Sequence, residues 1–335
     1  MYLSALLKQS NYLYELIKIK ILLFGPQNAG KTSLMRTTCL GYNFMKVLNL
    51  KPTKGISREN FIFRGIMELN VWDSGGQERY MERYFSETQR ELIFSEVTTA
   101  VFMAEATVIE PRVKEIFDKF LTYIFEFSPH LENIYVLLNK IDLQDSKEDE
   151  LYKLLIKGVS DDIRVKLAFT PVSVKEGTAQ HRLIEILDYE IQKNTLALQK
   201  LGKIRHLLDQ LKVNTLSEYL LFNQPDGLLI ASTLGKIETK PLQFMKFEIG
   251  TLDSNIYQIF TKIMELMSTS VTPLELTTII YESENNYILV REVSNGSVLM
   301  AVTHNKKNEV FTGVMDSLTG EDFENLKKYL ENSDF

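Results

Sequence analysis

The sequence has one cysteine, one tryptophan and four histidines among its 335 residues, and each scarcity narrows the possible chemistry. A lone cysteine, Cys39, cannot form an internal disulfide, which fits a reducing compartment. The histidines are scattered and do not suggest a metal cluster. No apolar run reaches the roughly 18 residues of a membrane-spanning helix. We therefore expect a cytoplasmic protein with no direct membrane anchor, and we expect any membrane recruitment to come from partners.

Positive charge is also limited. Lysine and arginine total 38 against 44 acidic residues, which gives a net charge of −6 and a pI near 5.5. Nucleic-acid binding calls for a basic patch, so no nucleic-acid partner is expected. The apolar share of 44% and the charged share of 24% are ordinary for a globular protein, and the length allows about two domains.

Strand-length apolar runs alternate with helical spacing up to about residue 195. This alternation predicts an α/β fold with a mainly parallel sheet and right-handed crossovers. The short gap at residues 64–66 predicts one antiparallel hairpin within it. The predicted strands are Ile17–Phe24, Phe61–Phe63, Met67–Trp72, Thr99–Ala104, Ile134–Leu138 and Val165–Val172.

A different pattern follows residue 195, in the order helix, two strands, helix, three strands, helix. The first helix has its apolar stripe at 198–211, and the last begins near Thr319, whose spacing to Asp322 matches a capping box. We therefore divide the chain into a lead-in (1–16), an α/β domain (17–195) and an α+β domain (196–335). The other predicted elements here are the strands Ser217–Phe222, Leu228–Ser232, Leu276–Tyr281, Tyr287–Val293 and Val298–Thr303 and the helix Asn255–Met267.

The stretch GPQNAGKTS at 25–33 follows the first predicted strand and fits the phosphate-loop pattern G-x-x-x-x-G-K-[ST]. Its glycines let successive N–H groups point at phosphate oxygens, and the following helix adds its positive end. Lys31 supplies a charge at the β- and γ-phosphates, and the Thr32 hydroxyl ligates Mg²⁺. The predicted phosphate-binding residues are Gly25, Gln27, Asn28, Ala29, Gly30, Lys31, Thr32 and Ser33.

The sequence Asn139-Lys140-Ile141-Asp142 follows a predicted buried strand and identifies the base. The Asp142 carboxylate can accept hydrogen bonds from guanine N1 and N2, and adenine offers no such donor pair. Asn139 can tie the base region to the phosphate loop, and the Lys140 stem can cover the ring. A backbone N–H of Ser173-Val174-Lys175 can face guanine O6. These residues predict GTP or GDP as the ligand and disfavour ATP-dependent chemistry.

The stretch Trp72-Asp73-Ser74-Gly75-Gly76-Gln77 predicts the hydrolytic parts. Asp73 is placed to hold Mg²⁺, Gly76 to offer its N–H to the γ-phosphate, and Gln77 to orient the attacking water. Thr53 is the candidate second Mg²⁺ ligand and, with Lys31 and Gln77, completes the predicted catalytic set. An ordinary turn threonine after Pro52 remains the alternative for Thr53.

These motifs resemble those of the small GTPases, and two branches compete. GPQNAGKT, the Pro52-Thr53-x-Gly55 element and WDSGGQE are similar to the Arf family. The continuation YFSETQRELIF at 84–94, the long segment before Thr53 and the overall length are similar to Rag/Gtr GTPases. Rag proteins also carry a C-terminal roadblock-type domain, which the element order after residue 196 and DGLLIAS at 226–232 resemble. The Asn-Lys-Ile-Asp element departs from many Rag proteins, and Met1-Tyr2 lacks the myristoylated glycine of Arf.

The Rag/Gtr resemblance implies a P-loop switch that hydrolyses GTP slowly and depends on GTPase-activating and exchange factors. The chain has no obvious arginine finger in cis, since Lys51 is the nearest cation before Thr53. The resemblance also implies a homodimer, or a heterodimer with a related Rag-like GTPase, formed through residues 196–335, and docking to roadblock or longin proteins. The alternatives are an Arf-like trafficking GTPase fused to a roadblock or longin domain and a GTP-stabilised scaffold that does not hydrolyse.

Overall fold

A computed structural model describes residues 17–213, 215–224, 226–234, 278–294 and 296–332. The predicted lead-in at 1–16 and the predicted helix Asn255–Met267 lie outside the described residues. By its contacts the chain forms two units, one made of Ile17–Ile62 and Met67–Glu190 and the other containing Phe63–Ile66 and Ile191–Phe335. Within the described residues, no helix is long and apolar enough to cross a membrane.

A six-stranded sheet organises the first unit, in the order β2-β3-β1-β4-β5-β6. All neighbouring pairs from β3 to β6 are parallel, and β2 joins β3 through a three-residue turn that only an antiparallel pair can make. The predicted α/β fold is therefore confirmed. The strands are β1 (Ile17–Phe24), β2 (Ile56–Phe63), β3 (Met67–Ser74), β4 (Thr99–Glu105), β5 (Ile134–Asn139) and β6 (Leu167–Val172).

Helices follow most of these strands. The helix α5 begins with Pro111, which is suited to the first helical position because its missing N–H needs no partner there. It buries Phe117 and Phe120 against Phe102 of β4, with ring centroids 4.9 and 5.4 Å away. The helices in chain order are α1 (Lys31–Cys39), α2 (Phe44–Val47), α3 (Glu78–Tyr84), α4 (Arg90–Phe94), α5 (Pro111–Phe127), α6 (Glu148–Ile156), α7 (Asp161–Arg164) and α8 (Thr178–Lys193).

Two predicted strand starts in this sheet differ from the structure. β2 begins at Ile56 rather than Phe61, because it is an end strand whose side chains alternate between partly buried and exposed and show no apolar run. β6 begins at Leu167 rather than Val165, because the preceding residues form the short helix α7. The sheet core itself matches the predicted apolar runs, since strands covered on both faces are apolar throughout.

The position of β1 at the point where the strand order reverses locates the candidate ligand cleft. β1 pairs with β3 on one side and β4 on the other. The connection after β1 runs to the β2–β3 side of the sheet, and the connection after β4 runs to the opposite side, to β5. Open α/β sheets bind ligands in the crevice outside the carboxyl ends at such a point. The loop at 25–30 lies there, directly after β1.

The described part of the second unit contains an antiparallel sheet, in the order β8-β7-β11-β10-β9, and three helices. Its predicted strands are present, but the structure corrects the end of the chain. Two helices follow the last strand instead of one, and the first of them buries Val310 and Val314. The elements are α9 (Thr195–Lys212), β7 (Ser217–Asn223), β8 (Leu229–Ser232), β9 (Thr278–Glu282), β10 (Tyr287–Ser294), β11 (Ser297–Thr303), α10 (Asn308–Ser317) and α11 (Glu321–Asn332).

The capping box predicted at Thr319 is wrong. The Thr319 hydroxyl donates to the carbonyl oxygens of Met315 and Asp316, at 3.0 and 3.3 Å. It therefore satisfies the end of α10 rather than the start of α11. Spacing alone could not separate these two uses, because the threonine lies between two helices that follow each other closely.

A buried carboxylate, Asp226, holds the turn that precedes β8. Its side chain accepts hydrogen bonds from the backbone N–H groups of Leu228 and Arg64, at 2.8 and 2.9 Å, and Arg64 belongs to the same unit. The Arg64 guanidinium donates to the carbonyl of Leu229. Burial raises the pKa of Asp226 from 3.8 to about 6, and the hydrogen bonds and the Arg64 charge oppose this only in part.

We expect Asp226→Asn to remove one component of the pH dependence of stability. Because the folded-state pKa is raised, protonation of Asp226 stabilises the fold fully below about pH 4, and this stabilisation is lost as the pH rises through 6. The free energy of unfolding of the wild type, relative to the variant, should therefore increase by up to about 3 kcal/mol from pH 7.5 to pH 4. Urea unfolding of both proteins between pH 4 and pH 7.5 measures this difference in the free energy of unfolding. Asp209→Asn, at an exposed position on α9, is the control and should follow the wild type.

Candidate nucleotide site

The loop after β1 has the backbone conformation that its glycines predict. Gly25, Asn28 and Gly30 all have positive φ, at 138°, 61° and 98°. A Cβ atom on Gly30 would lie 2.4 Å from Asn139 Nδ2, so a larger residue would displace that side chain. Gly30 precedes α1, whose N-terminal end therefore opens at the loop. Such an end favours a negatively charged ligand.

Lys31 carries its charge into this loop. Lys31 is 5% exposed, and its Nζ donates to the carbonyl oxygens of Gly25 and Pro26 at 2.8 and 2.7 Å. Burial lowers the pKa of Lys31 to about 8, and the nearby charge of Asp73 opposes the shift. An ammonium that has lost its water in this way is placed to bind an anionic group at the loop.

Three oxygen-bearing side chains from separate segments meet beside Lys31. Thr32 Oγ1 lies 2.5 Å from Asp73 Oδ2 and 2.8 Å from Thr53 Oγ1, and Thr53 Oγ1 donates to Asp73 Oδ2 at 3.2 Å. Burial raises the pKa of Asp73, while Lys31 and the two threonine hydroxyls oppose the shift. The contacts favour a shared role for Thr53 over that of an ordinary turn threonine, although its ligand role stays a prediction.

A magnesium ion fits this arrangement. Among the described residues, Asp73 Oδ1 is buried and has no hydrogen-bond partner. A buried carboxylate oxygen without a partner is costly unless a proton donor or a cation joins it. Hydroxyl and carboxylate oxygens are also the ligands that Mg²⁺ takes in phosphate sites. Thr32, Thr53 and Asp73 are therefore the residues that would hold it.

The segments on either side of the β2–β3 hairpin touch each other and the phosphate loop. The N–H of Gly75 donates to the carbonyl of Gly55 at 2.8 Å. A Cβ atom on Gly76 would lie 2.1 Å from the Gln27 nitrogen, so only glycine allows this close approach. Sequence reasoning assigned Gly76 but missed the Gly55–Gly75 contact, although both glycines stand inside quoted motifs.

Gln77 lies at the edge of the cleft and already has a partner. Its Oε1 accepts a hydrogen bond from Arg79 Nε at 3.1 Å, and the Arg79 guanidinium lies 4.7 Å from the centroid of the Tyr80 ring. Arg79 is exposed and was not singled out from the sequence. Lys51, singled out from the sequence as the nearest cation before Thr53, lines the cleft together with Gln77.

The base-reading residues are linked to the phosphate loop through Asn139. Asn139 is 2% exposed; its Nδ2 donates to the Ala29 carbonyl at 2.8 Å, and its Oδ1 accepts from the Val174 N–H at 3.1 Å. The Val174 amide, one of three considered for guanine O6, is therefore engaged within the protein. Asn139 thus connects the loop that would hold phosphates to the loop that would hold the base.

Asp142 is oriented by the loop after β6. Its Oδ1 accepts from the Ser173 hydroxyl at 2.7 Å, and its Oδ2 lies 3.6 Å from Lys175 Nζ. The Asp142 side chain is 8% exposed. A carboxylate restricted in this way can present its remaining acceptor sites in a defined direction.

One cleft of about 330 Å³ collects most of the predicted residues. Phe44, Val47, Leu48 and Leu50, from the segment before Thr53, add an apolar wall that sequence reasoning did not assign. The predicted residues that line the cleft are Gln27, Asn28, Gly30, Lys31, Thr32, Ser33, Thr53, Gly76, Gln77 and Lys140. Gly25, Ala29, Asp73 and Asn139 join them through the hydrogen bonds above, and Asp142, Ser173, Val174 and Lys175 form the adjoining cluster.

Comparison with known proteins identifies the family. The model of the Gtr1/RagA G protein conserved region matches residues 20–249. The chain belongs to the Gtr1/RagA family. As a G protein of this family it is a guanine-nucleotide-binding GTPase and a nucleotide-dependent switch, so the Rag/Gtr interpretation is confirmed.

The relatives of this Gtr1/RagA-family chain include proteins of both kinds that its motifs resemble, the Rag/Gtr and the Arf GTPases. It is 28% identical to the GTP-binding protein GTR1 of Saccharomyces cerevisiae, over 84% of this chain and 90% of the relative. It is 31% identical to the Ras-related GTP-binding protein A of Dictyostelium discoideum, over 41% of this chain and 46% of the relative. It is also 31% identical to the ADP-ribosylation factor-like protein 3 of Caenorhabditis elegans, over 40% of this chain and 66% of the relative.

Gly76→Ala should separate triphosphate binding from diphosphate binding in this family member. The added Cβ would lie 2.1 Å from the Gln27 nitrogen of the loop, so the Gly76 N–H would move away from the position predicted for the γ-phosphate. We expect about 10-fold weaker binding of a non-hydrolysable GTP analogue, the effect of one lost hydrogen bond to a charged group, with GDP affinity within about two-fold. Titration with fluorescent nucleotides measures both. Gly202→Ala on α9, where a Cβ meets nothing within 4 Å, is the control; equal losses for both nucleotides in Gly76→Ala would contradict the assignment.

Proposed function

We propose that this chain is a Rag-like switch that binds GTP with Mg²⁺ and senses the γ-phosphate through Thr53 and Gly76. The observation that carries the proposal is the meeting of Thr32, Thr53 and Asp73 within 3.2 Å, beside the buried ammonium of Lys31. Thr53 precedes β2 and Asp73 is the penultimate residue of β3, so the two ends of this hairpin are both joined to the phosphate loop. Loss of the γ-phosphate would remove the contacts that hold the Thr53 and Gly76 segments at the phosphate loop.

Each group has a distinct role in nucleotide binding. Lys31 and the N–H groups of the loop neutralise and orient the phosphates. Bound Mg²⁺ supplies positive charge to the phosphate oxygens. Thr32, Thr53 and Asp73 place their oxygens where that ion would lie, and Gly76 brings an N–H to the terminal phosphate.

Guanine is selected by Asp142. Its carboxylate is held by the Ser173 hydroxyl and has acceptor capacity left for guanine N1 and N2 donors. Adenine would place an acceptor against the carboxylate. Asn139 fixes the position of this loop relative to the phosphate loop, because its side chain forms hydrogen bonds with both Ala29 and Val174.

Asp142→Asn should therefore weaken GTP binding by about 100-fold, which corresponds to the loss of a charge-assisted hydrogen-bond pair, and should change weak ATP binding little. Competition of GTP and ATP against fluorescent GDP measures both affinities. Asp118→Asn, which breaks an exposed pair with Lys114 on α5, is the matched control and should behave as the wild type. Equal losses for the two nucleotides would show that the pocket does not read guanine through Asp142.

Hydrolysis is assigned to water oriented by Gln77. The water oxygen attacks the γ-phosphorus, the bond to the β–γ bridging oxygen breaks, and GDP and phosphate leave. The Gln77 amide must accept a hydrogen bond from that water, and its Oε1 now accepts one from Arg79. We propose that intrinsic turnover is slow because, among the described residues, no arginine lines the cleft, and that a GTPase-activating partner supplies one.

Gln77→Leu distinguishes the switch from a scaffold in which bound GTP is structural. In a switch, the variant should bind GTP as the wild type does and lose most of the roughly 10³–10⁵-fold stimulation that an activating partner gives. Single-turnover hydrolysis with and without the activating protein measures this. Gln199→Leu, at an exposed position on α9, is the control. Full stimulated turnover in Gln77→Leu would remove this side chain from the mechanism.

We also propose the organisation and the partners. Residues 17–195 are the GTPase domain, and residues 196–335 are a roadblock-like domain that forms a homodimer or a heterodimer with a related Rag-like GTPase. In support, β9 ends the strand order of the second sheet and leaves Ile280 and Tyr281 46% and 40% exposed. A strand edge of this kind is suited to pairing. Roadblock or longin proteins and exchange factors complete the proposed partners, and recruitment of a cytoplasmic protein to membranes would come through them.

A further inference from the structure

Glu105 is a carboxylate that contacts a residue of the cleft, Lys140, and that no step above uses. It is the last residue of β4, the strand that lies between β1 and β5 in the sheet. Its Oε2 accepts a hydrogen bond from Lys140 Nζ at 2.7 Å. Lys140 lines the cleft, and its stem is the group expected to cover the guanine ring.

The Glu105 carboxylate is itself held in place. Its Oε1 accepts from the Thr107 hydroxyl at 2.8 Å, which leaves Oε2 directed at Lys140. The two side chains of the pair are 17% and 31% exposed, so water screens the pair less than it would on an open surface. Charge-assisted hydrogen bonds of this length are among the stronger side-chain contacts.

Backbone contacts tie the same loop to the base-reading segment. The N–H of Ala106 donates to the Asn139 carbonyl at 2.8 Å, and the N–H of Lys147 donates to the Ala106 carbonyl at 2.9 Å. Lys140 has φ of 69°, a left-handed conformation that is rare outside glycine. Such residues persist only when their surroundings hold them, and they concentrate at functional sites. The loop at 105–107 supplies part of that restraint.

Restraint of a lysine stem matters for ligand binding. A free lysine side chain has several rotamers, and ordering it over a ligand opposes binding. If the ammonium is already anchored at Glu105, that ordering has taken place before the base arrives. Asp142 and Asn139 do not anchor this ammonium in the structure, since their hydrogen bonds go to Ser173, Ala29 and Val174.

We propose that Glu105 is a positioning residue for the guanine base, which holds the Lys140 stem over the ring and slows nucleotide release. The inference rests on the proposed function, because it takes the cleft to bind a guanine nucleotide. Glu105 acts through Lys140 and does not touch the base itself. Its contribution therefore concerns the ring face, which all purines share, and not the donor pattern that Asp142 reads.

Glu105→Ala in the full chain should release fluorescent GDP about 10-fold faster than the wild type, with association unchanged. Because Glu105 acts through Lys140, the double variant Glu105→Ala/Lys140→Ala should release GDP no faster than Lys140→Ala alone. Glu115→Ala breaks an exposed ion pair with Arg112 on α5 and should match the wild type. Additive effects of the two substitutions would overturn the inference, since they would mean that Glu105 does not work through the lysine.

The choice of base separates positioning from general damage. IDP lacks the 2-amino group but has the same ring face, so Glu105→Ala should speed the release of GDP and IDP by the same factor. Glu105→Gln keeps the shape and an acceptor oxygen and should show a smaller increase, about three-fold, even if the alanine variant does not fold. GDP release within two-fold of the wild type in Glu105→Gln and in a folded Glu105→Ala would overturn the inference and leave the proposed function standing. Failure of the wild type to bind any guanine nucleotide would overturn both.

Discussion

The carboxyl ends of parallel strands meet at one edge of a sheet, and the nucleotide site depends on this constraint. β1, β3, β4 and β5 are neighbours in that sheet, and the phosphate loop, Asp73, Glu105 and Asn139 lie at or next to their carboxyl ends. Because β1 lies where the strand order reverses, the loop that follows it has open space on its carboxyl side. Residues separated by more than 100 positions thereby come within hydrogen-bonding distance, as Ala29 and Asn139 do.

The electrostatics of the cleft follow from burial. Lys31 and Asp73 are both shielded from water, and burial lowers the pKa of the first and raises the pKa of the second. Each shift disfavours the charged form of the side chain. A ligand that replaces the lost hydration therefore stabilises both charged side chains. A phosphate group does this for the ammonium, and a divalent cation does it for the carboxylate. A nucleotide with its magnesium ion supplies the two together, which is why this pair of opposite shifts in one cleft favours such a ligand.

One hairpin carries both segments that would respond to the γ-phosphate. Thr53 and Gly55 lie before β2, and Gly75 and Gly76 lie after β3, so the open end of the hairpin faces the phosphate loop. The bond between Gly75 and Gly55 joins the two segments directly. A single backbone hydrogen bond therefore links the segment before β2 to the segment after β3. Glycine at position 76 is required by the approach to Gln27 rather than by a turn, which explains its place in the motif physically.

The sequence by itself determined those features that depend only on residues close together in the chain. GPQNAGKTS is contiguous, its glycines specify a local conformation, and the apolar runs of buried parallel strands can be read directly, so the α/β fold and the family were predictable. The strand β2 was predicted too short because an end strand is only half buried, and α10 was missed because its helical face is short and depends on tertiary packing. Thr319 was misassigned because spacing does not reveal which helix end a hydroxyl reaches. Only the tertiary structure placed Glu105 against Lys140 and Gly75 against Gly55. The physical reason is that the sheet sets these distances, and no local pattern in the chain encodes which strand ends become neighbours.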